Sequence, residues 1–227
     1  MHGGITTFPL DRLQSYARDA ATYTRLLAAG YVVVGPTYRS RDDDLQSPVS
    51  LTDSLAALEY VRNLPYVDAD SIVVAGCSGG GELALEVAGH TSICAVVAEE
   101  PAGPLLAGMF NNSVPKKGDR YTPEDANFLL ESPKQYYTLE FQKILRARIA
   151  RIQCPILIVQ GDVGRRDPPI NKFNAEVIIP ELRAAKETVE VRTYPEQAHC
   201  FCAGSELSIQ RTTYAGVRTT CSLGRLS

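Results

Sequence analysis

Short apolar runs recur along the chain, separated by segments with helical spacing. Each run ends at a glycine or a polar residue, and the runs cover residues 31–34, 72–75, 93–98 and 155–160. Unbroken apolar runs of this length are typical of strands buried on both faces. Parallel strands need crossover connections, which are usually helices. The pattern therefore predicts an α/β fold: a mostly parallel sheet with helices on both faces.

Three longer segments carry apolar residues at helical spacing, and each predicts a helix. They cover residues 11–29, 50–62 and 171–186. Ser50 or Thr52 is expected to cap the second helix, and Pro180 is expected to break or kink the third. Residues 188–194 alternate apolar and polar positions, which predicts an outer strand of the sheet.

Residues 101–150 interrupt this alternation and are rich in proline and aromatic residues. An insertion of this kind between strands is expected to act as a helical cap or lid over a pocket. A packed helical excursion that does not contact the substrate is the alternative. We therefore interpret residues 1–227 as a single domain in which 101–150 form the cap insertion.

The sequence Gly-Cys-Ser-Gly-Gly at 76–80 lies between a predicted strand and a predicted helix. In that context a G-x-S-x-G pattern is typical of a nucleophile elbow, a tight turn that presents a reactive serine. Small residues on both sides of Ser78 let strand and helix approach closely. A phosphate-binding loop is the alternative, but no lysine follows the glycines as it does in that motif.

A nucleophilic serine needs a base, and the chain has 3 histidines, His2, His90 and His199. His90 lies about 18 Å along the predicted helix from Ser78 and suits the negative end of the helix dipole. His199 follows the last predicted strand, at the edge where a parallel sheet presents catalytic groups. A loop histidine with an ordinary hydrogen bond is the alternative for His199. A metal site is disfavoured, because adjacent and alternate ligands fit poorly around one tetrahedral ion.

Together these motifs resemble the α/β-hydrolase superfamily, above all its prolyl-oligopeptidase, dienelactone-hydrolase and esterase-like branches. The resemblance rests on H-G-G at residues 2–4, the elbow, and the loop Y-P-x-x-x-H-x-F at residues 194–201. It implies an α/β-hydrolase fold with Ser78 as nucleophile and His199 as general base. It also implies an oxyanion hole formed by the backbone N–H groups of Gly79 and Gly4.

The chain departs from this superfamily at the acid that orients the histidine. The usual pattern is G-x-x-D-x-x-V-P, but Gly164 stands where the aspartate is expected. Asp162 and Asp167 flank that position, and each is a candidate acid. A Ser–His dyad without an acid is the alternative, and loss of the acid can cost about 10⁴-fold in rate.

A second departure lies at the start, because the chain begins at the H-G-G segment. The strands that normally precede it, and the strand between residues 34 and 75, are missing, so we expect an α/β-hydrolase fold reduced at the N-terminus. An unpaired sheet edge there would favour association into a homo-oligomer.

These features predict a serine hydrolase that cleaves carboxylic esters of small or short-chain acyl groups, a carboxylesterase-like enzyme. A prolyl-oligopeptidase-like peptidase and a non-catalytic hydrolase-fold binding protein are the alternatives. We expect a small-molecule ester as substrate and no cofactor or metal.

Composition narrows the class of protein further. The formal net charge of −3 argues against a nucleic-acid partner, and no apolar run is long enough to cross a membrane. With 6 cysteines and no visible export signal, we expect free thiols in a reducing, cytoplasmic location. Cys77, Cys94 and Cys154 in particular are expected to be small buried apolar residues.

Overall fold

A computed structural model of the chain describes residues 1–4, 6–41, 44–110, 132–161, 170–186, 188–194, 197 and 199–200. Its centre is a sheet of four strands, β1 (Val73–Cys77), β2 (Ala95–Glu99), β3 (Ile156–Gln160) and β4 (Val189–Thr193). All neighbouring strands are parallel, in the order β1-β2-β3-β4. The parallel α/β architecture predicted from the apolar runs is therefore confirmed.

Helices connect and cover these strands. They are α1 (Leu10–Asp19), α2 (Ala21–Ala28), α3 (Val49–Arg62), α4 (Gly79–Ala88), α5 (Gly103–Leu106), α6 (Pro133–Tyr136), α7 (Leu139–Arg151), α8 (Ile170–Phe173) and α9 (Ile179–Ala185). A one-turn 3₁₀ helix, Ala69–Ser71, precedes β1. None of the helices in the described ranges is long and apolar enough to cross a membrane.

The two faces of the sheet are packed by residues that alternate along each strand. Val96 and Ile158 belong to the larger core, which α3 to α5 and α7 to α9 complete. Val97 and Val159 belong to a smaller cluster on the other face. All residues of β2 and β3 are buried, as expected of central strands, whereas β4 is partly exposed and forms the predicted outer strand.

The predicted strand at residues 31–34 is wrong. The segment is not part of the sheet, and Val32 and Val34 are each 46% exposed. Strand propensity depends on a neighbour that completes the backbone hydrogen bonds, and no described strand pairs with the outer edge of β1. A cavity of about 350 Å³ lies between this segment, α3 and β1.

Two helix predictions need correction. The run at 11–29 forms two helices, because Ala20 adopts an extended conformation between α1 and α2. The predicted cap of α3 is also wrong: the Ser50 hydroxyl donates to the Arg39 carbonyl and the Thr52 hydroxyl donates to the Pro48 carbonyl.

Pro180 does change the third helix, as expected. A π-helical turn, Asn174–Ile178, separates α8 from α9, and Pro180 is the second residue of α9. Such a turn shifts the hydrogen-bond ladder by one residue, so the missing proline N–H is accommodated without ending the helix.

The described flanks of the predicted cap are part of the core. All residues of α5 are buried, and Phe141, Leu145 and Ile149 of α7 pack into the large cluster. These two segments match the packed alternative for this region. Residues 111–131 lie outside the described residues, and a cap there stays a prediction.

Candidate active site

Ser78 occupies the turn between β1 and α4 with a φ of 53° and a ψ of −121°. A positive φ is strained for a serine and is a common feature of functional sites. The close approach behind it requires glycine at two positions. A Cβ on Gly76 would lie 2.1 Å from the Gly80 carbonyl oxygen, and a Cβ on Gly80 would lie 2.2 Å from the His2 carbonyl oxygen.

The H-G-G segment lies against this elbow. A Cβ on Gly3 would be 3.6 Å from the Ser78 Cβ, whereas a Cβ on Gly4 would meet nothing nearer than Thr6 Oγ1, at 4.0 Å. Gly3 is therefore the glycine of the pair that directly borders the serine. Gly79 begins α4, so its N–H belongs to the first turn, where backbone donors have no partner within the helix.

His2 is packed between aromatic rings and has a structural role. Its ring is stacked between Phe8 and Tyr38, with ring centroids 3.9 and 4.1 Å away, and the residue is buried. The Tyr38 hydroxyl lies 2.6 Å from the His2 carbonyl oxygen and donates to it. Burial is the main cause that lowers the pKa of His2. These contacts hold the H-G-G segment over the elbow.

A carboxylate that the sequence analysis did not single out lies one residue after Glu99, whose carbonyl accepts the Ser78 N–H. Glu100 directly follows β2 and is completely buried. Its Oε1 accepts hydrogen bonds from the Gly161 N–H, at 2.8 Å, and the Asn171 side-chain amide, at 2.7 Å. Its Oε2 accepts from the Cys200 N–H, at 2.6 Å.

The Nδ1 atom of His199 lies 2.8 Å from Oε2 of Glu100, so the histidine faces the buried carboxylate. Burial alone would raise the pKa of Glu100. The hydrogen bonds from His199, Asn171 and the two backbone N–H groups together outweigh burial and hold this pKa below its usual value. The carboxylate is thus ionised at neutral pH and oriented towards an imidazole.

Backbone strain is concentrated at these residues. Among described non-glycine residues, a positive φ occurs at Ser78 (53°), Glu100 (43°), Phe110 (62°) and Cys200 (59°). Three of the four belong to this cluster. Strained conformations persist only where surrounding contacts over-determine them, and such contacts are present: the Ser78 N–H donates to the Glu99 carbonyl and the Glu100 N–H to the Val159 carbonyl.

Cys77 and Cys200 form a disulfide, which corrects the prediction of free thiols at these positions. Cys94 is also disulfide-bonded, and of the cysteines within the described ranges Cys154 is the free, buried thiol. The Cys77 and Cys200 α carbons are 5.7 Å apart. Adjacent α carbons are about 3.8 Å apart, so those of Ser78 and His199 lie within about 13 Å of each other.

Other predicted residues lie elsewhere. His90 follows α4, at the opposite end of that helix from Ser78, and its Nδ1 is 2.8 Å from the Glu86 carbonyl oxygen. Asp162 and Asp167, the two candidate acids, and Gly164 lie outside the described residues. Sequence reasoning missed Glu100 although a signal was present: a carboxylate that follows a fully apolar run next to the elbow strand lies at the same sheet edge as the serine.

A second buried charge pair lies just behind the elbow. Arg41 Nη2 is 2.7 Å from Oε2 of Glu82 in the first turn of α4, and both side chains are nearly inaccessible. Burial raises the pKa of Glu82 and the Arg41 charge opposes that rise. The pair ties the loop after residue 38 to the elbow helix, and a buried pair of this kind fixes geometry more than it adds stability.

Potential metal ligands at the site are Glu100, His199 and Cys200. The sulfur of Cys200 is bonded to Cys77, and both carboxylate oxygens of Glu100 already accept hydrogen bonds. These three residues therefore leave too few open donors for a metal ion and fit an oriented imidazole better. The 350 Å³ cavity borders Cys77 but neither Ser78, Glu100 nor His199, so it is separate from this site.

A parallel sheet with a strained serine elbow and a histidine–carboxylate pair at its carboxyl edge defines the α/β-hydrolase superfamily. Within that class, the family model described as the prolyl oligopeptidase family matches residues 24–215. The chain belongs to the prolyl oligopeptidase family. No curated protein has a significant sequence match to it.

Solved structures support the same fold. A carboxyl esterase from the mycorrhizal fungus Tuber melanosporum superimposes with a TM-score of 0.63 at 19% identity, over 96% of this chain and 72% of that chain. An esterase from the fungus Rhizomucor miehei gives a TM-score of 0.60 at 19% identity, over 97% of this chain and 73% of that chain.

Other matches are to longer proteins. A puromycin-hydrolysing peptidase from Mycobacterium tuberculosis superimposes with a TM-score of 0.52 at 19% identity, over 78% of this chain. The chain spans 26% of that peptidase and 57% of a dienelactone hydrolase from Klebsiella pneumoniae.

Proposed function

We propose that the chain is a serine hydrolase that cleaves carboxylic esters of small or short-chain acyl groups. Ser78 is the nucleophile, His199 the general base and Glu100 the acid that orients the base. The observation that carries the proposal is the buried Glu100 carboxylate 2.8 Å from His199 Nδ1, at the same sheet edge as a serine held at a φ of 53°. A Ser-His-acid arrangement of this kind activates a hydroxyl for acyl transfer.

The reaction follows from the roles of these atoms. His199 accepts the Ser78 proton through Nε2 as Oγ attacks the ester carbonyl, while Glu100 stabilises the resulting imidazolium. The tetrahedral intermediate collapses, the alcohol leaves with that proton, and an acyl-enzyme forms. Water then attacks the acyl-enzyme with His199 as base, and the acid and free Ser78 are released.

The developing oxyanion needs donors in place before the reaction. The N–H of Gly79, in the first turn of α4, is one candidate. The second candidate donor is a backbone N–H of the H-G-G segment. The sequence predicted Gly4 for this role, and Gly3 borders Ser78 more closely. Each such donor is worth about 3–4 kcal/mol of transition-state stabilisation.

Esters are proposed over peptides because the two fungal esterases superimpose on 96% and 97% of the chain. The peptidase alternative is supported by the family itself, whose description names an oligopeptidase. A non-catalytic binding role is the third candidate. The cytoplasmic location and a homo-oligomer formed through the sheet edge stay predictions.

The test compares hydrolysis of p-nitrophenyl acetate and butyrate with hydrolysis of alanyl p-nitroanilide. We expect ester cleavage by the wild type and its loss in Ser78→Ala, with Ser71→Ala, outside the site, as the matched control. Faster anilide cleavage would select the peptidase. Equal background rates for wild type and Ser78→Ala, with no fluorophosphonate labelling of Ser78, would select the binding protein.

A further inference from the structure

The Cys77–Cys200 disulfide joins the residue next to the proposed nucleophile to the residue next to the proposed base. Cys77 immediately precedes Ser78 and Cys200 immediately follows His199, although 123 positions separate the two cysteines along the chain. Cys77 ends β1 and is buried. Its position in the sheet is fixed by register, because it pairs with Glu99 at the end of β2. The nucleophile side of the bond is therefore rigid.

The histidine side rests on a loop. His199 follows β4, the outer strand, and its side chain is 21% exposed. The described attachments of this loop to the core include the His199 Nδ1 contact with Glu100, the Cys200 N–H hydrogen bond to Glu100, the packing of Gly161 against the Gln197 carbonyl and the disulfide itself. The disulfide is the covalent member of this set, and it connects the loop directly to the elbow.

We propose that the Cys77–Cys200 disulfide is a positioning clamp that holds His199 between Ser78 and Glu100, so that full activity requires the oxidised bond. This inference rests on the proposed function. With the bond closed, the Cys200 N–H stays hydrogen-bonded to the Glu100 carboxylate, and the loop that carries His199 cannot move away from Ser78. With the bond open, hydrogen bonds and packing alone hold the base.

The size of the effect follows from the demands of proton transfer. A general base must lie within hydrogen-bond reach of the proton that it removes. A displacement of about 1 Å can cost about 10²-fold in rate. Binding of a small acyl group is less sensitive to the position of the imidazole. Opening the clamp should therefore lower kcat much more than it raises KM.

Opening by dithiothreitol is a balanced exchange. Two electrons and two protons pass from the dithiol to the protein, the Cys77–Cys200 sulfur–sulfur bond breaks into two thiols, and the reagent closes into its cyclic disulfide. Oxidised glutathione reverses the step by accepting those electrons and protons and leaving as two glutathione thiols. The bond also closes a long loop, so it stabilises the fold, and a test must separate that contribution from positioning.

The experiment uses the full chain and p-nitrophenyl acetate, with kcat expressed per fluorophosphonate-titrated site and the melting temperature measured in parallel. We expect Cys77→Ala and Cys200→Ala each to lower kcat about 10–100-fold with KM within about threefold. The acid limb of the pH profile should shift to lower pH, because an imidazole held less closely by a carboxylate binds its proton more weakly. Assays run well below the melting temperature of each variant.

The matched control is Cys94→Ala, which removes a disulfide bond away from the elbow, with Cys154→Ala as the free-thiol control. Both should keep the wild-type kcat per titrated site. Dithiothreitol should lower the rate of wild type and Cys94→Ala reversibly, with oxidised glutathione restoring it, and should leave Cys77→Ala unchanged.

Unchanged kcat per site and an unchanged pH profile in Cys77→Ala and Cys200→Ala, with only a lower melting temperature, would overturn the clamp and leave the hydrolase intact. A wild-type protein without Ser78-dependent hydrolysis would instead contradict the proposed function. The two failures are therefore distinguishable.

Discussion

The carboxyl edge of the sheet and the N-terminal third of the chain are built in opposite ways. At the carboxyl edge, Glu100 is fully buried, its oxygens are occupied by several donors, and three strained residues are held in place. In the N-terminal third, residues 31–38 run without regular structure, and Val32 and Val34 stay half-exposed. Strain persists where contacts over-determine the backbone, so the tightly held edge is the one suited to chemistry.

Among substitutions at the carboxyl edge, Glu100→Gln is expected to have the largest effect, a loss of catalytic rate. An amide cannot stabilise the imidazolium and favours the wrong histidine tautomer, so kcat should fall about 10⁴-fold with little change in KM. The measurement is ester hydrolysis per fluorophosphonate-titrated site. Glu181→Gln, which breaks a surface ion pair with Arg146, should change kcat less than twofold.

Variants of the two aspartates that the sequence predicted as acids test whether Glu100 is the acid. Asp162→Ala and Asp167→Ala should each keep most of the wild-type rate if Glu100 orients the base. A collapse in either variant, together with an active Glu100→Gln, would return the role to the segment after β3.

Two glycines test the difference in packing. A Cβ on Gly76 would collide with the Gly80 backbone at 2.1 Å, whereas a Cβ on Gly35 meets nothing within 4 Å. Gly76→Ala should therefore lower the free energy of unfolding by at least about 1–3 kcal/mol and displace the backbone of the elbow. Gly35→Ala should change it by less than about 0.5 kcal/mol. Urea denaturation of both variants measures the contrast, and equal effects would show that the elbow is not tightly packed.

Two valines from predicted strands test the same difference in packing with a smaller change in side-chain volume. Val96 lies in β2 and is fully buried, whereas Val32 lies in the segment wrongly predicted as a strand and is 46% exposed. Val96→Ala should cost about 2 kcal/mol of unfolding free energy, because it removes two buried methyl groups and leaves a cavity. Val32→Ala should cost less than about 0.5 kcal/mol. A large loss in Val32→Ala would place that segment in a packed strand after all.

The same contrast explains which parts of the molecule the sequence predicted. Apolar runs such as 93–98 predicted β2 and its neighbours, because burial on both faces leaves a local pattern. The elbow at Ser78 and the loop with His199 were likewise recognisable from local motifs. Residues 31–34 carry the same pattern as β2, but whether a strand forms there depends on a pairing partner that the run itself does not specify.

The pairings that complete the site depend on distances in space. Glu100 was passed over because the expected acid lies after β3, about sixty positions further on, and only the sheet register brings Glu100 to His199. The Cys77–Cys200 bond was missed because cysteine count and spacing do not determine connectivity. Both are non-local contacts, which sequence periodicity cannot report.

The smallest expected effect is the pH dependence of stability at Glu100. Its pKa is depressed in the folded state, because the hydrogen bonds that it accepts outweigh burial. A depressed carboxyl pKa stabilises the fold at pH values above the unfolded pKa of about 4.3, and that contribution is lost as the pH falls through the folded value. The gap in unfolding free energy between wild type and Glu100→Gln should therefore narrow below about pH 5. The gap between wild type and Val32→Ala should stay constant, because no ionisable group changes there. A Glu100→Gln gap that does not depend on pH would mean that the folded and unfolded pKa values of Glu100 are equal, and a gap that widens as the pH falls would mean that the folded pKa is raised. A carboxyl that is protonated in the fold could not stabilise an imidazolium at His199.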